Sequence, residues 1–166
     1  MSKISPRPAY LCAALVLAFG WVGAEHLSAR EPATGRALSA SHLARSVWDS
    51  VYSSAQATRG DSLYHVTCAK CHGDTLGGGK TSTGEDSPGL VGESFLANYY
   101  GLNMYDVYDK IRNGMPPDNP KTIDPKTVVD VMAFLLAKNK FPAGAAELPL
   151  EPEKLKEITI EKSKTP

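Results

Sequence analysis

The sequence predicts an all-α domain: three main helices with long irregular connections, packed around something larger than their own side chains. Three observations lead there. Apolar residues recur at helical spacing in three separate segments, near residues 55–68, 104–112 and 125–139. No convincing strand set and no internal repeat accompany them. Three such helices also bury little surface, so the middle of the domain needs filling.

Taken in chain order, the first feature is an export signal. Lys3 and Arg7 precede an apolar run from Ala9 to Val22, and Val22-Gly23-Ala24 is a small-residue cleavage sequence followed by Glu25. This layout predicts a secretory signal peptide over residues 1–24. The run is short of the roughly 20 residues of a membrane span. If it stays uncleaved, residues 9–22 anchor the protein in the inner membrane instead. Cleavage leaves 142 residues, enough for one domain. The whole chain has 18 basic and 18 acidic residues. The signal segment holds two basic and no acidic ones, so the remainder carries 16 against 18. A nucleic-acid binder would show a basic excess, and that class is excluded.

Residues 25–45 mix Ala, Ser and Arg without an apolar period and read as a flexible leader. Structure is expected to begin at Ser46-Val47-Trp48-Asp49. The first helix runs from about Ala55 into Cys68, with Gly60, Leu63, Tyr64 and Thr67 on one face. A Gly inside a helix costs about 1 kcal/mol relative to Ala, and Gly60 marks a place where another backbone comes close. Residues 73–92 read as a loop, since eight of the twenty are Gly or Pro. A short helix follows at Glu93–Asn98. Another spans Met104 to Arg112 and stops at Asn113-Gly114. The last strong helix is Pro125–Asn139, with Asp124 as N-cap and Pro125 at its first position. Val128, Val131, Met132 and Leu135 form its apolar stripe. The tail, 143–166, is rich in Pro, Glu and Lys, with a short helix near Glu153–Glu157 and a frayed end.

Of three Cys residues, Cys12 falls in the signal segment. The other two stand in Cys68-Ala69-Lys70-Cys71-His72, the C-x-x-C-H pattern at which c-type haem is attached. The chemistry needs this spacing. Two thiols a helical turn apart each add to one vinyl group of a porphyrin, and the adjoining imidazole turns onto the iron. A zinc site wants four ligands; the other His residues are His26, His42 and His65, and there is no second C-x-x-C. A thioredoxin-like pair expects a βαβ context, which is absent, and a plain disulfide leaves His72 unexplained.

A second axial ligand is sought among the Met residues. Met132 lies on the last helix's stripe and reads as core; Met104 reads as core or rim. Met115 sits between Gly114 and Pro116-Pro117 on a constrained loop, well placed to hold a weak thioether ligand. His/Met ligation is an established haem arrangement. His65 is the rival, but it shares a helix with His72 and does not easily reach the other face.

With these motifs in place, the sequence resembles a monohaem class I cytochrome c over about residues 46–142. The resemblance rests on Gly60-x-x-x-Tyr64, Cys68-x-x-Cys71-His72-Gly73, Pro88-x-Leu90, Gly114-Met115-Pro116 and the helix containing Ala133-Phe134-Leu135-Leu136. It implies the class I cytochrome c fold: first and last helices crossed, and a third helix before the Met loop, around one covalently bound haem c. It further implies that the Pro88 carbonyl accepts a hydrogen bond from His72. Leu90, Phe95, Leu102 and Tyr105 become candidates for the haem wall. Within the family, Ser46–Tyr52, Gln56-Ala57-x-Arg59-Gly60, Asn139–Gly144 and Glu147-Leu148-Pro149 resemble cytochromes associated with quinoprotein dehydrogenases. The loop Gly77–Asp86 departs from the family, being longer and more polar than the core fold needs.

The expected function is a periplasmic one-electron carrier, or the cytochrome subunit of a dehydrogenase, and not itself an enzyme. Its partners would be redox proteins, a dehydrogenase donor and a cytochrome or oxidase acceptor, with no small-molecule substrate. The alternative is a catalytic or gas-binding haem with an open sixth position, if Met115 is not a ligand. Lys110, Arg112, Lys121 and Lys126 either form a docking face for an acidic partner or, diluted by Asp109, Asp118 and Asp124, a solvated surface.

Overall fold

The computed structural model describes residues 45–81 and 83–163. The expected signal segment, the leader up to residue 44 and residues 164–166 lie outside them. Among the described residues, no helix is long and apolar enough to cross a membrane.

The elements follow from local chemistry. Helix α1 (Ser54–Thr67) begins where Ser53 Oγ accepts the Gln56 amide at 3.1 Å. It ends at Cys68, and the single turn α2 (Ala69–His72) carries the C-x-x-C-H motif. A short α3 (Glu93–Tyr99) precedes α4 (Met104–Gly114). The latter opens with a reciprocal capping box between Asn103 and Asp106. Helix α5 (Pro125–Lys138) has the expected start: Asp124 accepts from the Thr127 amide, and Pro125 needs no partner for its missing N–H. A last turn, α6 (Pro152–Lys156), lies in the tail.

Helices α1 and α5 cross at Gly60. A Cβ there would sit 1.9 Å from the Asp130 carbonyl oxygen and 2.9 Å from Phe134 Cβ. The crossing therefore tolerates no side chain. Next to it the Tyr64 and Phe134 rings pack at 5.2 Å. Gly60→Ala should force the helices apart and cost about 3 kcal/mol, the upper end of ordinary overpacking. Denaturant unfolding of the haem-loaded protein should show a lowered midpoint with an unchanged slope. A midpoint equal to wild type would mean that the crossing is looser than this.

The tail carries the short helix that was expected, the expected frayed end reaches residues outside the described ones, and the rest packs: Leu148, Leu155, Ile158 and Ile160 are buried in the main core with Val47, Val51 and Tyr52. Strand β1 (Arg45–Ser46) pairs in parallel with Ile158–Thr159, the last strand of the chain. The N-terminal segment and the tail thus form one layer over α1, α4 and α5. Polar side chains fasten it. The Tyr52 hydroxyl donates to the Phe141 carbonyl at 2.7 Å. The buried Gln56 carboxamide accepts from the Leu148 amide at 2.8 Å and donates back to its carbonyl at 3.4 Å. Trp48 packs edge-on against Phe141 and donates its indole N–H to the Glu161 carbonyl. Arg59 pairs with both Asp130 and Glu147. Burial works to raise the Asp130 carboxyl, but hydrogen bonds and charge from Arg59 and Lys126 outweigh it and hold it below the usual carboxylate range. Each fully buried tail aliphatic is worth about 1.5–3 kcal/mol, so the layer supplies core that the three helices lack.

The 77–87 segment is a hairpin rather than an irregular loop. Two strands, β2 (Gly79–Lys80) and β3 (Asp86–Ser87), pair antiparallel with Gly79 opposite Ser87 and Lys80 opposite Asp86.

Candidate haem site

A cleft opens between α1 and α2 on one side and α4, α5 and the Met115 loop on the other. Cys68, Cys71 and His72 line it, with Tyr64 and Thr67 from α1 beside them. Leu90, Val107, Ile111, Val131 and Leu135 supply an apolar wall. Met115, Pro116 and Pro117 line it as well, after the end of α4.

The two cysteines carry no disulfide. Burial, and then the neighbouring Cys71, push the Cys68 thiol up to about 11, so it stays protonated at neutral pH. His72 is buried, and its Nδ1 lies 2.9 Å from the Pro88 carbonyl oxygen. A carbonyl only accepts, so Nδ1 carries the proton, and in the neutral imidazole the lone pair is then on Nε2. The Tyr64 hydroxyl donates to the Gly73 carbonyl at 2.8 Å and steadies the turn after His72. Burial first, then Cys68 and Asp74, push that phenol up to about 12, so it remains a donor.

These residues fit a covalently held haem. There are two free thiols one turn apart, an imidazole whose Nδ1 is held by a carbonyl, a thioether in the same cleft and an apolar wall. Met104 and Met132 are buried in the core and do not line the cleft. His65 points elsewhere, with Nδ1 3.1 Å from Asp74 and Nε2 3.3 Å from Asp61.

Of the four residues expected on the haem wall, Leu90 alone lines the cleft. Phe95 is buried in the main core, Tyr105 packs on that core beneath Lys156, and Leu102 is 43% exposed. None of the three lines the cleft. On α4 the cleft face is instead Val107 and Ile111, four apart, while Met104 and Tyr108 join the core. Val131 and Leu135, named in the sequence only as part of the α5 stripe, complete the wall with Tyr99, which the sequence did not single out. Thr81, Glu85, Asp86 and Ser87 of the hairpin also reach the cleft.

Residues 55–135 match the family model of cytochrome c oxidase, cbb3-type, subunit III. The chain contains a class I cytochrome c domain. Haem c and electron transfer are what such a domain provides. Among solved structures, the sulfane dehydrogenase SoxCD from Paracoccus pantotrophus is similar at 24% identity and a TM-score of 0.46. The alignment covers 68% of this cytochrome and 61% of that chain, less than two thirds of its length. No protein of curated function matches.

The basic residues near the Met loop are Lys110, Arg112, Lys121 and Lys126. Lys110 alone of the four lines the cleft. Lys126 pairs with Asp130 at 2.7 Å, and Arg112 donates to the Lys121 carbonyl.

Proposed function

We propose that this protein is a periplasmic one-electron carrier with one haem c bound to Cys68 and Cys71, His72 and Met115 being its axial ligands. The observation that carries this reading is the His72–Pro88 hydrogen bond in a cleft shared with Met115. It leaves Nε2 as a lone-pair donor in that cleft and raises its basicity. Pro116 and Pro117 stiffen the chain after Met115, so the thioether is held rather than free to swing away. When bound, the haem supplies reversible one-electron chemistry at its iron. The apolar residues Val107, Ile111, Val131 and Leu135 keep water out, which limits reorganisation on electron transfer. Two protein ligands leave no place for a substrate, so the protein is a carrier or an electron-transfer subunit. The donor we favour is a quinoprotein-type dehydrogenase, from the resemblance of residues 46–60 and 139–149, and the acceptor a cytochrome or oxidase. Those two stretches pack on each other through Gln56–Leu148 and Arg59–Glu147.

The test is a visible spectrum of the protein exported with haem-maturation machinery. The expected result is one covalent haem by mass, a six-coordinate spectrum and slow, weak binding of carbon monoxide to the reduced form. Rapid formation of a carbon monoxide complex by wild type would defeat His/Met ligation.

A further inference from the structure

The segment between the C-x-x-C-H turn and Pro88 returns on itself, and its backbone is pressed against that turn. The Gly78 amide donates to the His72 carbonyl at 3.0 Å. A Cβ on Gly79 would stand 2.7 Å from the Cys71 carbonyl oxygen. A Cβ on Gly78, whose φ is +91°, would stand 2.7 Å from the Ser87 carbonyl oxygen. The Leu90 amide donates to the Leu76 carbonyl at 2.8 Å and closes the base of the segment. The hairpin register sets Ser87 opposite Gly79, and Ser87 is the residue before Pro88. One strand thus rests on Cys71 and His72, while the other delivers the carbonyl that His72 Nδ1–H meets.

We propose that the 78–87 hairpin positions the Pro88 carbonyl against His72, with Gly78 and Gly79 as positioning residues that tune the haem potential without touching the haem. The inference rests on His72 being an axial ligand. The missing Cβ atoms of Gly78 and Gly79 let three backbones pack at contact distance, and the Nδ1–H···O bond depends on that spacing. A methyl group on Gly79 props the hairpin away from Cys71 and carries Ser87 and Pro88 with it. The hydrogen bond lengthens, the imidazole becomes a poorer donor, and ferrous iron is favoured.

The test compares haem-loaded wild type with Gly79→Ala and Gly77→Ala. Gly77 is a matched control, because a Cβ there meets only Thr75 Oγ1 at 3.5 Å, an ordinary contact. Gly79→Ala should raise the ferrous-to-ferric ratio at fixed potential about tenfold, an upward shift of about 59 mV for one electron. The nitrogen NMR signal of His72 Nδ1–H should shift and exchange faster with solvent. Gly77→Ala should do neither. If Gly79→Ala does not mature, replacing Thr81–Glu85 by five glycines loosens the hairpin with no new atom near Cys71, and the same two changes are expected. Loss of thermal stability with an unchanged potential and an unchanged His72 signal would overturn the proposal. A wild-type spectrum without His ligation would overturn the functional reading itself, and the two failures are therefore distinguishable.

Discussion

Replacing both Cys68 and Cys71 by Ala should yield a protein with no covalently bound haem. The two thiols are the only ones among the described residues, and both line the cleft. Without the haem, Leu90, Val107, Ile111, Val131 and Leu135 face a cleft instead of a packed surface. Unfilled apolar volume of this kind costs several kcal/mol in far smaller cavities. The stability of a single domain is only about 5–15 kcal/mol. The double variant should therefore lose most of its cooperative unfolding transition. Mass spectrometry of the exported protein and a thermal melt check both parts. A haem-free double variant as stable as the loaded wild type would sink the view that the haem completes the core.

Met115→Ala should leave haem attached and change what it does. His72 and both thioethers still hold it, but the thioether is gone from the cleft. Thioether sulfur is soft and favours ferrous iron. Its loss should lower the potential by on the order of 0.1–0.3 V, a fraction of the roughly 0.8 V that axial ligands command. Carbon monoxide should then bind the reduced variant readily, and the ferric Met–iron charge-transfer band should disappear. Met104→Leu and Met132→Leu, both at core positions, should leave that band in place. If Met115→Ala keeps the band while either of the others loses it, the ligand lies elsewhere.

The site was readable where a single residue type is needed at a fixed position. Cys68, Cys71 and His72 fall within five consecutive residues, and their chemistry depends on spacing. The start of α5 was equally plain, because Asp124 and Pro125 act within one turn. Other features depend on long-range packing and leave no local pattern. The strands of the hairpin have two residues each, Gly79-Lys80 and Asp86-Ser87, with no apolar alternation, and backbone contact with Cys71 and His72 holds them. In the tail, Leu148, Leu155, Ile158 and Ile160 follow no single period, because a turn of helix and a stub of strand divide them. Tyr105 was expected on the haem wall, yet the rotation of α4 about its axis is set by Met104 and Tyr108 packing into the core while Val107 and Ile111 meet the cleft. Gln56 was singled out only through the family resemblance, and its partner 92 positions away explains its burial.

The parallel pairing of Arg45–Ser46 with Ile158–Thr159 has a bearing on attachment. Paired strands lie about 4.8 Å apart, so the backbone entering the domain and the backbone leaving it share one rim of the molecule. A membrane tether ahead of Arg45 and a fused module after residue 163 would leave from neighbouring points. Whatever is joined ahead of Arg45 therefore departs beside the strand that closes the fold.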